Sequence, residues 1–72
     1  MRHHNWDEFR SLLMREATSH DIASRTVLAD RLGVGYRRLF EWLYRGVLPN
    51  RKNLTMLAEK TGNERYLKLR DF

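Results

Sequence analysis

The chain contains no cysteine, which excludes disulfide bonds, thiolate nucleophiles and the Cys-based zinc sites. Proline occurs once, at position 49, and no repeat or low-complexity tract is present. Apolar runs extend for only a few residues, too few to span a bilayer, and the Met1–Asn5 start carries no hydrophobic signal region. No β-branched or alternating stretch is long enough for a strand. Also missing are a nucleophile–base–acid set and a phosphate-binding glycine loop. His3 and His4 are adjacent in a terminal tail, but neither a Cys nor a spaced His–carboxylate pair completes a metal site, and His20 sits in a loop without an evident partner. The expectation is a soluble, intracellular, non-enzymatic protein with no metal, no cofactor, no small-molecule ligand and no membrane contact. Seventy-two residues allow one domain over 1–72 and leave little room for a catalytic cleft, because chains this short bury only about 60% of their unfolded surface.

What the chain does have is positive charge in one place. The formal net charge is +5. Between Ile22 and Lys52 there are seven basic side chains, Arg25, Arg31, Arg37, Arg38, Arg45, Arg51 and Lys52, against Asp30 and Glu41. Elsewhere seven basic and seven acidic residues cancel, so the whole surplus lies in this segment. Localised basic charge is the footprint of a phosphate-binding surface.

Apolar spacing divides the chain into short helices. Asn5 is placed to cap the first, with Asp7 and Glu8 in its opening turn and Trp6, Phe9, Leu12 and Leu13 as an apolar stripe ending near Ala17. "TSHDIAS" reads as a loop, anchored by Ile22. Thr26 can cap a second helix whose apolar members are Val27, Leu28 and Leu32, broken by Gly33. A third runs from about Gly35 to Arg45 and is stopped by Gly46 and Pro49. Asn53 can cap a fourth, "LTMLAEKT", ended by Gly62, and Asn63 a fifth, "ERYLKLRD". The fold class is all-α, a compact bundle of four or five helices.

The stretch "LADRLGVGYRRLFEWLYRGVLP" meets the requirements for placing a helix in a DNA groove. A supporting helix must cross closely, which the small Ala29 permits, and the turn needs a residue tolerant of positive φ, which Gly33 supplies. Leu28 and Leu32 before the turn, and Val34, Leu39 and Trp42 after it, can pin the angle. On these residues the segment of about 26–45 resembles the helix-turn-helix of the lambda-repressor-like (Cro/cI, XRE) family of bacterial and phage regulators. The likeness continues through Pro49 and "NLTMLAEKTG", with Leu54, Leu57, Ala58 and Gly62, and covers about half the chain. Gly35 stands where family members often carry serine. "WLYRGVLP" is also similar to the W-x-x-x-G-x-L-P of MerR-like and excisionase-type winged helices, which would continue into a β-wing after Pro49.

The resemblance implies a groove-facing side of the third helix made of Tyr36, Arg37, Phe40, Glu41 and Tyr44. Wheel geometry independently groups Leu39, Trp42 and Leu43 as core and sets Tyr36, Phe40 and Tyr44 in an i, i+4, i+8 row that can face core, DNA or a partner. Arg37 is the leading base reader, since a guanidinium can bond guanine O6 and N7 together. Glu41 can accept from cytosine or pair with Arg37 and Arg45. Phosphate contacts are expected from Arg25 and Thr26 at the start of the second helix, and from Arg38, Arg45, Arg51, Lys52 and Asn53. Some of Tyr66, Leu67, Leu69 and Phe72 must close the core; by analogy with relatives of this architecture, Tyr66, Leu69 and Phe72 are also candidates for a dimer interface.

Three functions fit. The leading one is a sequence-specific regulator of double-stranded DNA, a small repressor of a phage or mobile element. It would act as a homodimer or cooperative oligomer in the cytoplasm of a bacterial or phage-infected host, at the nucleoid. The second is an excisionase-type architectural protein assisting a recombinase. The third is a protein-interaction module using the aromatic row.

Overall fold

Four α-helices and a 3-10 helix follow one another in the computed structural model, which describes residues 2–70, with side chains from 5 to 69. The elements are α1 (Arg2–Ser19), α2 (Arg25–Leu32), α3 (Tyr36–Tyr44), α4 (Arg51–Thr61) and the 3-10 helix (Glu64–Arg70). Among the described residues there is no strand. None of their helices is long and apolar enough to cross a membrane.

Local chemistry sets each boundary, and several lie a turn away from where spacing alone puts them. Asn5 does not cap α1; it lies inside the helix, and its Nδ2 donates to the Leu69 carbonyl at 3.0 Å, tying α1 to the 3-10 helix. Asp7 and Glu8 consequently fall beyond the first turn. At the other end α1 runs past Ala17 to Ser19. Its chain then reverses at Asp21 (φ 58°), and the Ile22 amide returns to the Ala17 carbonyl at 2.8 Å, folding Ile22 against the core. Ser24, rather than Thr26, caps α2, its hydroxyl accepting from the Val27 amide at 3.4 Å. Asn50, rather than Asn53, caps α4, with Oδ1 accepting from the Asn53 amide at 2.9 Å. In both cases an earlier residue of capping type was present, and the helix begins at the first one that reaches an amide three residues on. Asn63 does open the last segment, accepting from the Arg65 amide at 3.0 Å.

The core gathers Phe9, Leu12 and Leu13 of α1, Leu28, Ala29 and Leu32 of α2, Leu39, Trp42 and Leu43 of α3, Leu54, Leu57 and Ala58 of α4, and Tyr66 and Leu69. Phe9 is its centre of aromatic packing, edge-on to Trp42 at 5.6 Å and to Tyr66 at 6.1 Å. Val27, expected with the apolar side of α2, is exposed, because a helix of eight residues has only one buried stripe, and Leu28, Ala29 and Leu32 occupy it.

One contact set fixes α3 in place. The last carbonyls of a helix lack intrahelical partners. Here α1 supplies two of them. The Trp6 indole donates to the Trp42 carbonyl at 2.6 Å, and Arg10 Nε donates to the Leu43 carbonyl at 2.8 Å. His20, expected to have no partner, closes a surface cluster joining the ends of α1 and α2. Its Nε2 lies 3.4 Å from Glu16 Oε2 and 2.7 Å from Arg31 Nη2, while Arg31 Nε donates to the same carboxylate at 2.8 Å.

Candidate nucleic-acid interface

The turn between α2 and α3 is built on Gly33, whose φ of 74° is the left-handed conformation that side-chain-bearing residues resist. Its amide donates to the Asp30 carbonyl at 3.1 Å, and the Val34 amide reaches back to Ala29 at 3.0 Å. This double bond pattern ends α2 within one residue and sends the chain into α3. Ala29, with almost no exposed surface, is the small residue that lets the two helices approach.

Burial of Leu39, Trp42 and Leu43 fixes the rotation of α3 about its axis. The opposite arc therefore faces outward, and Tyr36, Arg37, Arg38, Phe40, Glu41 and Tyr44 are all exposed. The aromatic row does not enter the core: Tyr36 keeps 49%, Phe40 38% and Tyr44 41% of its surface in solvent. The rings touch in sequence, with centroids 6.5 Å apart from Tyr36 to Phe40 and 5.1 Å from Phe40 to Tyr44. Glu41 forms no ion pair with Arg37 or Arg45 among the described residues, so its carboxylate is open to other donors. Arg37, Arg38 and Glu41 share a shallow recess with Gly33, Gly35, Asn53 and Met56, which brings α3 and α4 to one site. Gly35 opens α3 without a side-chain cap, in an ordinary extended conformation (φ −71°), and a Cβ there would meet nothing within 4 Å.

The flanking residues share an electrostatic peculiarity. Helix N-termini favour acidic side chains, by about 0.3–1 kcal/mol each. Yet none of the four α-helices has an acid in its first turn, α1 included. Arg25 and Thr26 open α2, Arg37 and Arg38 follow Tyr36 in α3, and Arg51 and Lys52 open α4, so positive side chains stand on positive dipole ends in all three. Thr26 is exposed, Asn53 is half-buried and its amide is taken by Asn50, and Arg45 is the exposed residue that closes α3. Arg25 has found a further partner, Tyr44. Its Nε donates to the phenol hydroxyl, and its guanidinium lies over the ring at 5.1 Å.

One residue beside this surface was not singled out in the sequence. Arg10, from the middle of α1, lies over the same Tyr44 ring at 5.7 Å while its Nε holds the Leu43 carbonyl. Nothing local in the sequence distinguishes it from the other arginines; only the packing of α1 against the end of α3 brings it there.

The candidate dimer residues need correction. Tyr66 is fully buried and Leu69 nearly so, because both complete the core of a single chain between α1 and α4 and have no surface left for a second copy. Phe72 lies outside the described residues. Leu67 is the exposed apolar side chain of that segment. No group of three or more His, Cys, Asp or Glu that could hold a metal ion occurs among the described residues.

The chain was compared with protein-family models, with curated proteins and with solved structures, and none of the three comparisons gives a match.

Proposed function

We propose that the chain is a sequence-specific regulator of double-stranded DNA, of repressor type, which inserts α3 into the major groove. The observation that carries the reading is the charge inversion at the three helix N-termini. Basic side chains there are unfavourable in the free protein, and a polyanion laid across them removes that penalty while gaining from both the dipoles and the guanidinium groups. The exposed arc of α3 adds the chemistry of discrimination. Arg37 can take guanine, Glu41 can accept from cytosine, and the Tyr36–Phe40–Tyr44 row offers an apolar edge whose counterpart in the major groove is the thymine methyl. Arg25, Thr26, Arg38, Arg45, Arg51, Lys52 and Asn53 set register on the backbone without reading sequence. A helix, α4, follows Pro49 where a winged architecture would need strands, so the excisionase-type alternative lacks its wing.

Selection of bound duplexes from a random library at physiological salt tests the proposal. An inverted repeat with half-sites about 10 base pairs apart is expected for a dimeric repressor. Direct repeats would instead favour the architectural reading. No enriched motif would overturn both and turn attention to the aromatic row as a protein-binding surface.

A further inference from the structure

Tyr44 is the meeting point of two cations drawn from different helices. Arg25 opens α2 and Arg10 lies midway along α1, yet their guanidinium carbons sit 5.1 and 5.7 Å from the same ring centroid. Each is oriented by a neutral acceptor, the Tyr44 hydroxyl for Arg25 and the Leu43 carbonyl for Arg10. Neither pairs with a carboxylate among the described residues; Glu16, on the same helix as Arg10, is engaged by His20 and Arg31. Both heads use Nε internally, which leaves their terminal nitrogens to point elsewhere. Two cations are thus held beside one ring without a carboxylate partner for either among the described residues.

We infer that Arg10 and Arg25, braced on Tyr44, form a two-pronged clamp for a phosphate diester. In this clamp Arg10 carries the contact surface from α3 onto α1. Its planar forks match phosphate oxygens bidentately, and the stacked, hydrogen-bonded geometry removes much of the rotamer freedom an arginine would otherwise lose on binding. The clamp rests on the DNA reading for the identity of its ligand, a backbone phosphate at the edge of the site, but the geometry itself asks only for a phosphate.

The test uses Arg10→Gln, which retains an N–H donor and removes the charge, with the melting temperature confirming that the fold is kept. Binding to the selected duplex is measured against salt, and again with single phosphates replaced by neutral methylphosphonates. The clamp predicts that the variant binds all duplexes more weakly by one common factor and that its salt slope is smaller by about one. One methylphosphonate position should weaken the wild type about tenfold and leave the variant unaffected. A folded variant with wild-type affinity and slope overturns the clamp. Should the wild type bind no duplex, titration with inorganic phosphate, followed by the NMR signals of the Arg10 and Arg25 side-chain Nε–H groups, decides separately. Shifts in both, with the Arg25 shift lost in Arg10→Gln, keep the clamp while the DNA reading falls, and no shift in the wild type overturns the clamp as well.

Discussion

Replacing Tyr66 by phenylalanine should stabilise the protein. The Tyr66 ring is fully buried, edge-on to Phe9, and its hydroxyl finds no hydrogen-bond partner among the described residues. Burying an unpartnered hydroxyl costs about 1–3 kcal/mol on mutational scales. Deleting the oxygen returns that cost, less a few tenths for lost packing, so a net gain of about 1 kcal/mol is expected. A domain of 72 residues holds a total of about 4–11 kcal/mol and shifts its melting temperature by about 4–8 °C per kcal/mol. The increment is therefore readily seen in thermal and urea unfolding at neutral pH. Alkaline pH sharpens the test. Burial, with the Glu16 carboxylate adding to it, pushes the Tyr66 hydroxyl well above its usual value of 10.0. Above pH 10 the unfolded tyrosine releases its proton while the native one retains it. The native state then binds more protons, and wild-type stability falls by about 1.4 kcal/mol per pH unit on this account. The phenylalanine variant lacks that loss, so its advantage should widen from pH 10 upward. A variant less stable than wild type at pH 7 would refute the reasoning by showing that the hydroxyl has a partner, and a gap that stays constant with rising pH would refute it by showing that the hydroxyl titrates as it does in water.

Other expectations are as direct. Trp6→Phe removes the donor to the Trp42 carbonyl and should cost about 1–3 kcal/mol in urea unfolding, since the carbonyl is left part-buried and unpaired; an unchanged midpoint would deny the bond its role. Gly33→Ala forces a side chain into a φ of 74° and brings Cβ to 3.3 Å from the Lys60 side chain, which can yield; a loss of about 1 kcal/mol from the backbone alone is expected by the same assay. Phe40→Ala should leave the melting temperature within a few degrees, because the ring is already 38% exposed. The same change should weaken binding to a selected duplex about tenfold, or 1.4 kcal/mol. Exchange of the contacted thymine for deoxyuridine, which removes only the methyl, should reproduce that loss in the wild type and add nothing in the variant.

Helix spacing in the sequence was enough to find every element and nearly the whole core, because Phe9, Leu12, Leu13, Leu39, Trp42 and Leu43 repeat at intervals only a helix can bury on one side. Boundaries were harder. Ser24 and Thr26, or Asn50 and Asn53, offer equivalent capping oxygens within a few residues, and the choice between them depends on where the preceding turn delivers the chain. Asn5 had the right chemistry for a cap but is used across the bundle, on Leu69. The aromatic row could not be assigned from periodicity, since rings at i, i+4, i+8 suit a core as well as a surface; the burial of Trp42 and Leu43 beside it decides its orientation. Tyr66 and Leu69 could not be divided between core and partner, because an apolar residue near a terminus looks the same whether it closes its own core or waits for a partner. Arg10 was invisible for a related reason, its two contacts lying 33 and 34 positions away along the chain.

The hydrogen bonds from Trp6 and Arg10 to the end of α3 also bear on whether the α2–α3 unit can be moved. Trp6 and Trp42 are 36 positions apart, and Arg10 and Leu43 are 33 apart. A fragment beginning at α2 would contain every residue of the outward arc and still lack the groups that hold its last turn closed. Transplanting the outward arc of α3 into another scaffold would therefore require carrying the first helix along, or rebuilding its two donors in the host.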